Sequence, residues 1–174
     1  MTLRGLEEAL PPLLPLKSTA DRGVDWAVIF DRLGVRLPGD FVDLANRYQT
    51  FTLGDFLVVQ IPNRGGEQDF VSGKFELLED LDSLSDPDEP IPYPLHPKPG
   101  GLIPWGASRE GDYFYWRAIG DDPNSWPVVV FGSNDDWCEI EKSMTGYLEG
   151  LISGSVEPYG LPSSFPGRSP RVDF

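Results

Sequence analysis

"GDYFYWRAIGDDPNSWPVVVF", Gly111 to Phe131, decides how the chain is read, because five aromatics and three aspartates crowd between Gly111 and Pro127. Tyr113 to Ile119 is rich in aromatic residues and predicts a strand, since such side chains fit a pleated, half-buried surface. "GDDPNS" predicts a turn, each of its residues suiting a turn position for its own reason. "WPVVVF", Trp126 to Phe131, is a near-continuous apolar run, the mark of a strand buried on both faces. The stretch therefore reads first as a β-hairpin. Alternation puts Tyr113, Tyr115, Arg117 and Ile119 on one face of its first strand and Phe114, Trp116 and Ala118 on the other. Phe114 and Trp116 are the core candidates. Trp126 and Trp137 border acidic turns and are expected to be exposed.

Working outward, "GLIPWG" (Gly101 to Gly106) predicts a preceding strand joined by the turn "REGD", and "GSNDD" turns the chain into a further strand, "WCEI". "FLVVQI" (Phe56 to Ile61) is another strand, bounded by Gly54 and Pro62. Helical spacing recurs at Trp26, Ile29, Phe30 and Leu33, stopped by Gly34, and at Phe41, Leu44, Ala45 and Tyr48, with Pro38 near the start. Between Phe70 and Leu84, Phe75, Leu78 and Leu81 oppose a strongly acidic side, again a helix. Ser143 can cap a last helix with Met144, Tyr147, Leu148, Leu151 and Ile152 inward and Gly154 at its end. This succession predicts an α+β fold, mainly an antiparallel sheet of about four to six strands flanked by N-terminal and C-terminal helices. Residues 1–24 read as a Pro-rich arm, 25–154 as the domain and 155–174 as a Pro/Ser/Gly-rich tail lying loosely on the surface. Asp86 to Gly101 reads as a linker with six prolines.

The 174 residues suit one domain with a normal core. No apolar run approaches the roughly 20 residues that span a bilayer. "LEEALPPLLPL" is broken by prolines and preceded by acid, a poor signal peptide. The single cysteine, Cys138, excludes an internal disulfide and a cysteine zinc site and reads as a small, partly buried residue. Together these features point to the cytoplasm. The formal charge of -14 is unevenly spread. Between Phe75 and Glu141 stand 15 carboxylates and three basic residues, Lys98, Arg109 and Arg117. Such a field repels phosphate backbones and attracts cationic surfaces, which argues against direct nucleic-acid binding.

Signals for chemistry are weak. The one histidine, His96, lies between prolines in the linker, where a surface loop residue is expected rather than a catalytic base. "DDPNSW" and "SNDDWCEIE" lack the glycine and terminal glutamate spacing of a calcium loop. Adjacent carboxylates such as Asp121/Asp122 and Asp135/Asp136 are what turns recruit for backbone hydrogen bonding. The glycine-containing loops carry neither the P-loop lysine nor dinucleotide spacing. Neither an enzyme nor a cofactor or metal site is expected.

Trp105-Gly106, Gly111-Asp112 opening an aromatic strand, Trp116, Asp122-Pro123, Trp126 and the apolar Val128 to Val130 form a combination that resembles the SUKH superfamily, the Smi/Knr-like domain. The upstream "LGVRLPGDFVDLANRY" (Leu33 to Tyr48) is similar to that family's Leu-Pro-x-Asp-Phe/Tyr helix start. The resemblance spans roughly Asp25 to Gly154. It implies an α+β, non-catalytic protein-binding domain, many bacterial members of the family looking like immunity proteins that neutralise a cognate toxin, often a nuclease. The alternative it implies is an interaction adaptor or regulator in another defence, secretion or cell-wall-related assembly. Charge and resemblance converge on a basic toxin domain as the protein partner, with neither nucleic acid nor membrane. The candidate partner-binding residues are Glu79, Asp80, Asp82, Asp86, Asp88, Asp121, Asp122, Asp135 and Asp136 for charge, with Trp126 and Trp137 as aromatic anchors.

Overall fold

In the computed structural model, which describes residues 2–85, 88 and 90–174, Tyr113–Arg117 and Val128–Phe131 pair antiparallel, with Tyr113 opposite Phe131 and Trp116 opposite Val128. The helices are α1 (Leu3–Ala9), α2 (Trp26–Leu33), α3 (Gly39–Ala45), α4 (Glu67–Ser83) and α5 (Met144–Ser153). The strands are β1 (Phe51–Leu53), β2 (Leu57–Val59), β3 (Leu102–Ser108), β4 (Tyr113–Arg117), β5 (Val128–Phe131), β6 (Trp137–Ile140) and β7 (Val172–Asp173), with 3-10 turns at Pro11–Leu16 and Pro123–Ser125. They form one antiparallel sheet in the order β6-β5-β4-β3-β2-β1-β7. The α+β class is as expected; the sheet has seven strands, because β1 and β7 extend it beyond the four to six read from the sequence. β1 is only three residues long and joins β2 through Gly54-Asp55, both at positive φ, with Phe56 N–H bonded to Leu53 O at 3.1 Å. That is the primed turn whose twist matches a hairpin.

Local signals explain the helices. The Asp25 carboxylate caps α2 by accepting from the N–H groups of Ala27 and Val28, and Gly34 ends it in the left-handed region. Ser143 caps α5 from the Gly146 N–H, and Gly154 closes it.

Both faces of the sheet are covered, by two separate clusters. On one face Ile103, Trp105, Phe114, Trp116, Val128 and Val130 pack under α1, α2, α3 and α5. On the other, Leu102, Tyr115 and Val129 pack under Leu78 and Leu81 of α4 and under Ile91, Tyr93 and Leu95. The apolar run of β5 follows directly, Val128 and Val130 serving one cluster and Val129 the other.

Two segments expected at the periphery are tied into the fold. Leu6, Leu10 and Leu13 of the arm are buried in the main cluster, since a bare α5 would leave its apolar stripe in water. The tail is fastened by Gly160 against Asp112 and Val130, by Phe165 against Phe56, and by β7 on β1. His96 also departs from the surface position expected of it. It is 7% exposed, its Nε2 lies 2.6 Å from the Leu33 carbonyl, and its ring packs on Phe75. A carbonyl only accepts, so Nε2 donates, and the imidazole is spent on joining the linker to α2.

Candidate functional site

The antiparallel pairing of β4 and β5 sends their connecting turn, residues 118–127, to one end of the sheet and the β5–β6 turn, residues 132–136, to the other. The acidic residues singled out in the sequence are divided accordingly, roughly 13–17 Å apart along the strands at about 3.4 Å per residue. Asp121 and Asp122 lie at the first end. Asp135, Asp136 and Trp137 lie at the second, and the C-terminal half of α4 joins Asp135 and Trp137 there. Glu79, Asp80, Asp82, Asp88, Asp121, Asp122, Asp135 and Asp136 are all exposed; Asp86 lies outside the described residues.

The Asp121/Asp122 end is built for structure. Asp122 Oδ1 accepts from the Asn124 N–H at 3.0 Å, and Asn124 Oδ1 in turn accepts from the Gly39 N–H at 2.8 Å, tying the turn to the start of α3. Trp126 is 4% exposed and belongs to the main core, which corrects the expectation of an exposed anchor. The turn that precedes it delivers its indole into the main core, because the residues from Val128 onward belong to the sheet.

The opposite end has a different construction. Leu81, Leu84, Ile91, Phe131, Asp135 and Trp137 surround a groove of about 620 Å³. Trp137 is half-buried and stacks on Phe131 with ring centres 4.3 Å apart, with Tyr93 at 5.5 Å and Tyr115 at 6.2 Å. Beside this aromatic floor, Arg117 Nη1 bonds both carboxylate oxygens of Glu139, at 2.9 and 3.0 Å, and its guanidinium lies over the Tyr93 ring. The cation nearest the aromatic floor is therefore already matched. Glu79, Asp80, Asp82 and Asp135 form no ion pair among the described residues. Asp135 holds φ 61, a left-handed conformation. Asp136 faces Tyr159, whose phenol is pushed up to about 12 by burial first and then by this carboxylate.

Lys74 was not among the residues singled out. It is fully buried, donates from Nζ to Pro104 O at 2.5 Å, and lies 4.0 Å from the centre of the Phe70 ring. Pro104 has no N–H, and the β3–β4 register shifts between Pro104 and Gly106. Lys74 is the bond its carbonyl makes to α4. Burial lowers the Lys74 ammonium from 10.5 to about 7. The signal was in the spacing: Lys74 sits three residues after Val71 and four before Leu78, on the buried stripe of α4. The groove's Leu84 and Ile91 were also missed, because isolated apolar residues at an acidic helix end and in a Pro-rich segment have no periodicity to reveal them.

Several residues that carry the resemblance act within the fold. Asp112 is fully buried, accepting from the Ser108 hydroxyl and, at 2.9 Å, from the Ser133 N–H, so it locks the turn before β4 to the turn after β5. A Cβ at Gly106 would lie 2.8 Å from Val58 O, so only glycine lets β2 approach β3 there. Among the described residues no group of three or more His, Cys, Asp or Glu side chains is placed to hold a metal ion, and no helix is long and apolar enough to cross a membrane. No family model, no curated protein and no solved structure matches the chain.

Proposed function

We propose that this chain is a non-catalytic protein-binding domain of the immunity type, neutralising a basic toxin domain, with a nuclease as the class that fits best. The observation that carries the reading is charge: the excess of carboxylates lies between Phe75 and Glu141, and every described acidic candidate there is exposed. A nuclease presents a basic cleft to phosphate, and an acidic surface occupies such a cleft with a fast, electrostatically steered on-rate, blocking substrate without chemistry. The resemblance of the Trp105 to Val130 pattern to the Smi/Knr-like domain supports the same reading independently of charge.

The test begins with affinity capture from the native source, followed by association kinetics of the purified pair at low and high salt. A basic partner should associate faster at low salt, and reversing Asp80, Asp82 and Asp135 together to lysine should slow association about tenfold and flatten the salt dependence. A captured partner whose on-rate ignores both salt and charge reversal sinks the electrostatic reading.

A further inference from the structure

The groove at the α4 end suggests where such a partner binds. We propose that the track formed by the C-terminal half of α4, the Pro90–Leu95 segment and the β5–β6 turn is the docking site for a basic segment of the partner protein. An apolar side chain of that segment enters between Leu81, Ile91 and Trp137, and its lysines or arginines flank Asp82 and Asp135. This rests on the protein-binding reading above and assigns its surface.

The first observation is shape. The 620 Å³ groove continues past Ile91 and Ser85 into a second hollow of about 320 Å³ that reaches Asp82 and Tyr93, and a third of about 250 Å³ follows between Phe75, Glu79 and His96. The three share walls and run along α4 from Phe75 to Ser85, a length of about 15 Å at 1.5 Å per residue. That accepts four or five extended residues of a visiting chain.

The second observation is apolar exposure. Leu84 is 80% exposed at the rim, the most exposed of the large apolar side chains described. It stands beside the half-buried Trp137, Phe131 and Ile91, an arrangement of rigid aromatic floor and polar rim that interface cores use.

Charge selects the occupant. From Phe75 to Ser85 the chain carries four carboxylates and no basic residue, and Asp135 closes the other side. Arg117 is neutralised by Glu139, and Lys98, which lines the second and third hollows beside Asp82, is outnumbered by Glu79, Asp82 and Asp135. A second copy of this chain, itself at -14, would bring like charge to the rim; a nucleic acid would bring phosphate. A wholly apolar ligand would leave the acidic rim unmatched. A cationic protein segment with an apolar anchor satisfies floor and rim together. The opposite end of the sheet offers no equivalent, since Trp126 is buried and Asp122 caps its own turn.

The experiment is a titration of the full chain, labelled with nitrogen-15, with a short peptide alternating lysine and leucine, followed by amide and indole resonances. Saturable shifts are expected at the Trp137 indole and at the amides of residues 81–85 and 131–137, with residues 119–125 unmoved. A lysine/serine peptide should bind at least about tenfold more weakly, since it lacks the apolar anchor. Asp82→Lys with Asp135→Lys should weaken the lysine/leucine peptide by a similar factor, whereas Asp121→Lys should leave it unchanged, both variants keeping the wild-type spectrum elsewhere. Non-saturating shifts, shifts centred on the Asp121 turn, or equal binding of the lysine/serine peptide would overturn the assignment. A captured native partner that binds the Asp82/Asp135 variant as tightly as wild type overturns the groove while leaving the protein-binding reading standing; if capture yields no partner at all, that reading falls instead.

Discussion

Replacing Lys74 with methionine should remove a pH dependence of stability that the wild-type fold carries. Among the described residues Lys74 has no carboxylate partner; its ammonium is enclosed between the Pro104 carbonyl and the Phe70 ring, and burial lowers it from 10.5 to about 7. The folded value lies below the unfolded one, so between the two the unfolded chain binds the additional proton. Stability therefore rises with pH from about 7 to about 10.5 and, for this group, is lowest and flat below about pH 7. The full shift corresponds to at most about 5 kcal/mol, and the carbonyl and ring, which both favour the ammonium, hold the true figure below that. Between about pH 7 and about pH 9 the linkage gives a gain of about 2 kcal/mol. Urea unfolding, followed by tryptophan fluorescence across that range, measures it. Lys74→Met also leaves the Pro104 carbonyl unpaired, a loss of about 1–3 kcal/mol at every pH, so the diagnostic quantity is slope and not stability at one pH. The wild-type curve should climb relative to the variant's by about 2 kcal/mol; two parallel curves would refute the account of Lys74 as a desolvated, proton-releasing side chain.

Four further outcomes follow from the packing. Gly106→Ala should destabilise by about 1–3 kcal/mol in urea unfolding, because its Cβ meets the Val58 backbone carbonyl and not a flexible side chain. Trp126→Ala should cost about 3–5 kcal/mol, as a core truncation, whereas Trp137→Ala should cost less and instead weaken the partner in a binding titration. Asp135→Gly should raise the unfolding free energy in urea by up to about 1 kcal/mol through relief of its left-handed backbone, while lowering partner affinity by removing a groove carboxylate. Deleting residues 2–16 should abolish cooperative unfolding by circular dichroism: Leu6, Leu10 and Leu13 each leave a cavity worth about 2–5 kcal/mol, against a total stability of about 5–15.

What was legible in the sequence is what periodicity encodes. The β4–β5 hairpin, the caps at Ser143 and Gly154, and the inward Phe41, Leu44 and Tyr48 are each written in a local repeat or a capping residue, and each is found in place. β1 and β7 were not legible, being three and two residues long, and their mutual pairing joins positions more than a hundred residues apart. The arm misled for a related reason. Its prolines suggest a peripheral strap, yet Leu6, Leu10 and Leu13 are required to cover α5, a demand that exists only once α5 is packed. For the candidate site, the acidic residues could be named in advance but not sorted. Sequence proximity made Asp121 and Asp135 look alike, and only the antiparallel register sends them to opposite ends of the sheet. The same register separates Trp126, turned into the core, from Trp137, left half-open on an edge strand.

That sorting bears on where function resides in a fold of this kind. The residues that carry the resemblance are consumed by the fold: Trp105, Trp116 and Trp126 are buried, Gly106 admits β2, Asp112 locks two turns and Asp122 caps a third. Changing any of them perturbs the scaffold before it perturbs a partner. The track along α4 also presents residues that the core does not enclose, Leu84, Asp82 and Asp135 among them, and its exposed carboxylates can change charge at little cost in stability. A scaffold that holds its shape through one set of side chains and meets partners through another can be retuned to new partners without being refolded. Charge reversals at Asp82 and Asp135 are accordingly expected to leave the unfolding midpoint nearly unchanged while altering binding, and a large drop in the midpoint would show that the two sets are not separable.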